Sequence, residues 1–289
     1  HTYEKRKGKV LLAGDLGPTW SHSFFSLFAH RQVADGRNGL GNQPPRTIGS
    51  SASPLLKKVD GSHYEVRITP REWRTLWLWI ESGAPYAGTY AALRNEETQH
   101  KAARAVHQVF AAQASVFQRR CESCHNSKPG AGDAPVFPFN YETRRKTKGG
   151  LQRPTADYER IILENDPLAR FSAEILLNFT RPRLSPLLLG PLAKSAGGYG
   201  SCGEIFRNPD DPDYQLLLSA IGKSKSELDA EPRFATPGFK PNLQYLREMK
   251  RFEILPKSFD LAKDPVDVYE VDQKYWRSLW WQPERGRSR

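Results

Sequence analysis

Cys121-Glu122-Ser123-Cys124-His125 is the stretch with the most specific chemistry in this sequence. Two thiols separated by two residues and followed at once by an imidazole are the spacing that attaches haem through two thioethers, with the histidine under the iron. Half of a zinc site is the alternative, but it needs two further Cys or His ligands downstream. No histidine follows His125. The motif therefore predicts covalently bound haem c, with His125 as one axial ligand.

The second axial ligand of this haem is open between several candidates. Cys202 lies in a glycine-rich loop downstream of the motif, and Met249 is the only methionine of the chain. Thiolate and thioether groups both serve as haem-iron ligands. The corresponding structural interpretations are an inert buried thiol and a methionine that fills a core. We favour Cys202, with Met249 and a non-protein ligand as alternatives.

The composition limits the class of protein. A chain of 289 residues, with a net charge of +11 and a pI of about 9.6, has room for two modest cores. The densest apolar run, residues 76–80, is far shorter than the ~20 residues of a bilayer span, so no transmembrane segment is expected. The cationic residues form short runs on predicted loops rather than one stripe. They therefore indicate an acidic redox partner and no nucleic acid.

Helix signals dominate this sequence and strand signals are weak. Thr69-Pro70-Arg71-Glu72 is a capping box with proline at the first helical position, and it predicts a helix that ends near Ser82. A second helix is predicted from about Glu96 to Arg120, leading into Cys121. Its predicted inner stripe comprises Val106, Val109, Phe110, Ala114 and Phe117. Later helices are predicted over residues 168–179, 186–194, 212–221, 243–254 and 266–280. We expect a mainly α fold with long loops.

One sequence pattern occurs twice. Ser53-Pro54-Leu55-Leu56 and Ser185-Pro186-Leu187-Leu188 each precede a loop and a helix. The second copy follows Cys-x-x-Cys-His, and upstream of the first copy stands His1. We interpret His1 as the histidine of a second haem motif whose cysteines precede it. His63 in the first copy holds the place of Cys202 in the second, which makes it the expected distal ligand.

These patterns predict two tandem cytochrome c-like modules, residues 1–94 and 95–289, and therefore a second haem in the N-terminal module. Other interpretations stay open for that haem. In one of them His1 is only a terminal residue and His63 is a surface turn histidine. His22 or His30, which flank an apolar segment, could line the haem pocket instead.

The residues that carry these predictions resemble a known family. The haem motif, the Ser-Pro-Leu-Leu segments and the helix end Trp79-Ile80-Glu81-Ser82-Gly83-Ala84 are similar to planctomycete c-type cytochrome modules. Residues 185–194, 211–214 and 247–251 add to the similarity. Over most of its length the chain resembles the haem-bearing C-terminal part of hydrazine synthase alpha subunits.

That resemblance implies two haems, one of them catalytic with a tyrosine on the iron, the other a bis-histidine electron-transfer haem. His1 matches the histidine of the first motif, with Tyr3 the nearest tyrosine, and His125 matches the proximal ligand of the second haem. The chain departs from the family in the spacing of Tyr3 and in having no histidine after His125.

We therefore expect one-electron transfer through haem c in the periplasm or another extracytoplasmic compartment, where haem attachment occurs. The chain is expected to belong to a larger polypeptide or complex. A haem enzyme that acts on small nitrogen species is the alternative.

Overall fold

The computed structural model describes residues 1–5, 7–8, 10–18, 20–34, 44–92, 105, 108–110, 113–125, 176–230, 234 and 238–279. Within these ranges the chain is mainly helical, and its β-pairing is limited to isolated bridges. The mainly α class is therefore confirmed. The tandem arrangement of cytochrome modules stays a prediction.

The helices of the described ranges are mostly short. They are α1 His22–Ala29, α2 Pro54–Lys58, α3 Pro70–Glu81, α4 Ala114–Arg120, α5 Pro186–Leu189, α6 Pro212–Asp229, α7 Leu243–Arg251 and α8 Val268–Ser278. Single 3-10 turns occur at Tyr90–Ala92, Pro182–Leu184 and Lys194–Ala196. None of the helices in the described part of the chain has the length and hydrophobicity that a bilayer span requires.

The chain divides into two compact units, residues 1–86 with 101–228, and residues 87–100 with 229–289. This division differs from the predicted modules 1–94 and 95–289. The reason lies in contacts between the start of the chain and residues 176–199. Phe179 N donates to Leu16 O at 2.8 Å, and Leu16 N donates to the Thr180 hydroxyl at 2.9 Å. Tyr3, Leu11 and Ala13 also form an apolar cluster with Leu189.

Helix α3 begins as its sequence predicts. Thr69 accepts from the backbone N–H of Glu72, and the Glu72 carboxylate accepts from Thr69 N at 2.8 Å, so the capping box is complete. Pro70 is the first helical residue and Ser82 caps the C-terminus. The predicted aromatic face is largely at the surface, however. Trp73 and Trp77 are exposed and stack on one another with ring centroids 6.4 Å apart, whereas Ile80 is buried.

The predicted helix from Glu96 to Arg120 is interrupted. Gln113 has φ −116° and ψ 24°, and α4 starts only after it. Val109, Phe110 and Phe117 are buried as predicted. Val116 is buried too, but Ala114 is exposed. The break rotates the last turns, so a stripe extrapolated from one continuous helix is wrong at Ala114. Residues 96–104 and the side chain of Val106 lie outside the described residues.

Three later helices start where the sequence predicts, at Pro186, Pro212 and Leu243, while their ends differ. Helix α8 starts later than predicted because Asp267 is its N-cap, accepting from the N–H groups of Tyr269 and Glu270 at 2.9 and 3.1 Å. Most of the predicted helix 168–179 lies outside the described residues, and residues 177–179 are not helical.

Candidate functional site

The haem motif forms one closed turn at the end of α4. Cys121 caps the helix, and its N–H donates to Phe117 O at 2.8 Å. The backbone N–H groups of Cys124 and His125 both donate to Cys121 O, at 3.1 and 2.8 Å. The turn therefore holds both thiols and the imidazole within one short stretch of backbone, as attachment to a single porphyrin requires.

The core of the first unit packs against the helix that leads into this turn. Phe117 is fully buried and stacks on Phe110 with ring centroids 5.3 Å apart. The half-buried Cys121 packs against the same cluster, which also contains Leu188 and Phe206. Cys124, by contrast, is exposed. One thiol is thus anchored in the core and the other faces the surface.

Two arginines tie the last turn of α4 to the start of α6. Arg119 and Arg120 both donate to the Asp213 carboxylate, Arg120 through Nε at 2.8 Å. Hydrogen bonding from Arg120, followed by that from Arg119, holds the pKa of Asp213 below its usual range. The residues immediately before Cys121 are therefore fixed to a second helix by charge-assisted hydrogen bonds.

Cys202 shares its environment with both motif cysteines. Burial, followed by the neighbouring thiols of Cys202 and Cys124, raises the pKa of Cys121 to about 11. Cys202 is exposed at the surface, but the atoms packed around it partly desolvate its thiol and raise its pKa, against a hydrogen bond from Ser201. Both shifts favour the neutral thiol of Cys121 and of Cys202 at pH 7.

The loop that carries Cys202 is glycine-rich because its backbone packs closely against α5 and the residues after it. A Cβ at position 198 would lie 2.1 Å from Leu192 O, which leaves glycine as the residue that fits. Cys202 N donates to Gly190 O at 3.4 Å. A Cβ on Gly190 would lie 3.7 Å from Cys202 Sγ. The glycines thus seat the Cys202 loop on the end of α5.

Met249 lies in a different core. Its side chain is buried on α7 among the apolar residues of the second unit, including Tyr245, Leu246 and Leu255. This environment fits a methionine that fills a core. A role for Met249 as an iron ligand stays a prediction.

His1 and His63 lie together in the first unit, although they are far apart in sequence. Their ring centroids are 6.0 Å apart, with 23° between the ring planes. Two imidazoles that ligate one iron from opposite sides have centroids about 6 Å apart, since a metal–nitrogen bond is about 2 Å and the nitrogen lies about 1 Å from the ring centre. The pair therefore has the separation of two axial ligands.

The two Ser-Pro-Leu-Leu copies also share a local structure. In each copy the serine is a buried N-cap position, and proline is the first residue of a short helix. The hydroxyl of Ser53 accepts from Ala34 N at 2.9 Å, and that of Ser185 accepts from Asn178 N at 3.0 Å. The loops that carry His63 and Cys202 thus follow equivalent helices, each anchored to an earlier segment.

His22 is occupied by other partners. It is fully buried, and its Nε2 lies 2.9 Å from Leu177 O. Because a carbonyl only accepts, Nε2 carries the proton, and Nδ1 accepts from the Tyr3 hydroxyl. Burial, followed by the charge of Asp15, raises the pKa of Tyr3. His22, one of the two histidines predicted as alternatives for lining the first haem pocket, and Tyr3, the tyrosine nearest to His1, are therefore both part of a buried network.

Sequence reasoning missed the ion pair beside this network. Arg181 donates two hydrogen bonds to the Asp15 carboxylate, at 2.9 and 3.2 Å. Its guanidinium lies 5.6 Å from the centre of the Tyr3 ring. Asn178 donates to the same carboxylate. Asp15 and Arg181 are separated by 166 positions, and no local pattern marks such a pair.

No protein-family model, curated protein or solved structure matches this chain. Within the described residues, no group of three or more His, Cys, Asp or Glu side chains is placed to hold a metal ion. A haem iron needs at most two protein ligands, because the porphyrin supplies the other four.

Proposed function

We propose that this chain transfers single electrons through haem c in an extracytoplasmic compartment. The observation that carries the proposal is the closed turn Cys121–His125, in which two thiols and an imidazole follow an anchored helix. In this proposal Cys121 and Cys124 hold the porphyrin edge by thioether bonds, and His125 ligates the iron. The bound haem supplies the one-electron chemistry, and the protein sets its potential through ligands and burial.

Space beside the motif is consistent with this proposal. A cleft of about 510 Å³ is lined by Arg120, Ile205, Arg207, Asn208, Asp210 and Asp211. That volume lies within the range of about 300–1,000 Å³ that cofactor pockets have, but five of the six lining residues are charged or polar, whereas such pockets are mainly apolar. The cleft therefore supports the proposal by its volume and place alone. Arg120 directly precedes Cys121, and the cleft therefore adjoins the attachment turn.

Cys202 is our proposed second ligand for this haem. Its loop sits on the end of α5, and Cys202 contributes to the raised pKa of Cys121, the anchored thiol of the motif. Ligation as thiolate would require loss of the proton that burial now favours, which is a cost that a bound ferric iron offsets. A thiolate ligand would give the haem a low potential.

His1 and His63 support a second haem. If both imidazoles held a haem iron, no position would be open for substrate, which favours electron transfer over substrate binding. The nitrogen-species enzyme that the family resemblance implies needs a tyrosine on the iron. Here the Tyr3 hydroxyl donates to His22 inside a buried network. The chain's positive charge further favours an acidic redox protein as partner.

The haem content of the chain tests the proposal most directly. A pyridine haemochrome assay and an intact-mass measurement on the protein as isolated should return haem bound covalently at Cys121 and Cys124. The double substitution Cys121→Ser/Cys124→Ser should lose it. An intact mass equal to that of the bare polypeptide, with no Soret band, would remove the proposal.

The identity of the second ligand has its own matched pair of variants. Cys202→Ala should change the visible spectrum and raise the potential of the Cys121-linked haem. Met249→Leu, which keeps a similar buried volume, should leave both unchanged. An unchanged spectrum in Cys202→Ala, or a changed one in Met249→Leu, would exclude Cys202 as the ligand.

A further inference from the structure

His63 lies in a loop whose base is closed by several bonds. We call residues 60–67 the His63 loop; Asp60 and Arg67 form an antiparallel bridge at its base. Ser62 N donates to Asp60 Oδ1 at 2.8 Å, and its hydroxyl donates to Lys57 O at 2.7 Å. The turn itself is closed by Val66 N, which donates to His63 O at 3.1 Å. The backbone that carries His63 is therefore defined on both sides.

The two residues after His63 adopt a conformation that their side chains disfavour. Tyr64 has φ +51° and Glu65 has φ +59°, so two successive residues other than glycine lie in the left-handed region. Residues with a Cβ disfavour this conformation, and it persists only where surrounding structure imposes it. The bonds at the base of the His63 loop impose it here.

This backbone directs the Tyr64 side chain onto His63 instead of into a core. The rings of Tyr64 and His63 meet edge to face, with centroids 4.7 Å apart and 75° between their planes. Tyr64 is 86% exposed, so burial of its ring does not explain its position. On the His63 imidazole there are thus two aromatic neighbours, His1 at 6.0 Å and Tyr64 at 4.7 Å.

We propose that Tyr64 is a positioning residue for His63, whose ring holds the His63 imidazole in the orientation that ligates iron opposite His1. This inference rests on the proposed function, since it assigns His63 to the first haem. An edge-to-face aromatic contact restricts rotation of the imidazole about its side-chain bonds. Without that contact His63 leaves the iron more readily, and an external ligand takes its place sooner.

Two substitutions separate the ring from the backbone at this position. Tyr64→Phe keeps the ring and loses only an exposed hydroxyl. Tyr64→Asn removes the ring but tolerates the left-handed conformation better than most residues. On the haem-loaded protein, we expect cyanide to displace the His63 ligand about 2- to 10-fold faster in Tyr64→Asn than in the wild type, which is the range that an aromatic contact accounts for. Tyr64→Phe should match the wild type.

A third variant distinguishes failure of the role proposed for Tyr64 from failure of His63 as a ligand. His63→Ala should abolish the low-spin bis-imidazole signature of one haem in the electron paramagnetic resonance spectrum. If that signature is lost but cyanide displaces the ligand in Tyr64→Asn at the wild-type rate, only the role of Tyr64 is overturned. A Tyr64→Phe variant as fast as Tyr64→Asn overturns it as well. If His63→Ala leaves the spectrum unchanged, His63 is not a ligand, and the role proposed for Tyr64 is overturned as well.

Discussion

Asp213→Asn should destabilise the part of the chain that carries the haem motif. The Asp213 carboxylate is 11% exposed and accepts hydrogen bonds from Arg119 and Arg120, whose side chains are 54% and 37% exposed. A hydrogen bond to a charged group contributes about 1.5–3 kcal/mol, but exposure of both guanidinium groups reduces this, and asparagine keeps one acceptor. We therefore expect a loss of about 1–2 kcal/mol in the free energy of unfolding. For a protein of this size that is a fall in Tm of roughly 2–8 °C.

The same substitution has a pH dependence of known sign. Hydrogen bonding from Arg120, and then from Arg119, lowers the pKa of Asp213 in the folded protein. A group with a lowered folded pKa stabilises the fold above its unfolded pKa of about 3.9, and this contribution is lost as the pH falls through the folded pKa. The difference in Tm between wild type and Asp213→Asn should be constant from pH 7 to pH 5 and shrink below about pH 4.

Thermal unfolding followed by circular dichroism at pH 7, 5 and 3 measures both effects on the haem-loaded protein. Asp210→Asn is the matched control, since Asp210 lies in the same segment and is exposed. It should change Tm little at any pH. A control that loses as much stability as Asp213→Asn, or a difference at pH 3 as large as that at pH 7, would refute the reasoning.

Three further substitutions test the fold. Tyr3→Phe removes the hydroxyl that donates to the buried His22, and it should lower the free energy of unfolding by about 1–3 kcal/mol in urea titrations. Tyr64→Phe, at an exposed position, is the control and should change that free energy very little. Thr69→Ala removes the capping box of α3 and should lower the free energy of unfolding by about 1 kcal/mol in the same titrations. Thr75→Ala, on the same helix but away from the cap, should lower it less. Phe117→Ala opens a cavity under the motif turn and should cost about 3–5 kcal/mol and lower the covalent haem yield per chain.

Local signals in the sequence predicted local structure well. The capping box at Thr69, with proline after it, placed the start of α3 at the correct residue, because cap and first turn are determined by neighbours in the chain. The same holds for the starts of α5 and α6 at Pro186 and Pro212. Helix ends were predicted less well, as in α6, which continues to Asp229. A buried face along Leu217, Ile221 and Leu228 extends that helix, and burial of this kind depends on tertiary contacts.

The candidate ligands also divide into those that local sequence patterns indicated and those whose surroundings depend on distant parts of the chain. The motif turn could be read from its spacing alone, and the repeated Ser-Pro-Leu-Leu pattern pointed to His63 and Cys202 as equivalent loop positions. That pattern has a physical basis, since each serine is a buried cap that holds its loop to an earlier segment. The positions of Tyr3 and His22 could not be read from the sequence. Their network depends on Leu177, which lies 155 positions after His22.

The two candidate haem sites lie in one compact unit instead of in two separate modules. His1, His63 and Cys121 all belong to one compact unit. Independent modules would move relative to one another, whereas groups packed in one unit keep a fixed separation. His22 joins the segment of the first site to Leu177, and Leu177 lies in the core against which Cys121 packs. Because electron transfer slows steeply with distance, a buried network that fixes this separation would serve the proposed two-haem relay. Loosening it at Tyr3 should therefore disturb transfer between the haems before it disturbs either haem alone.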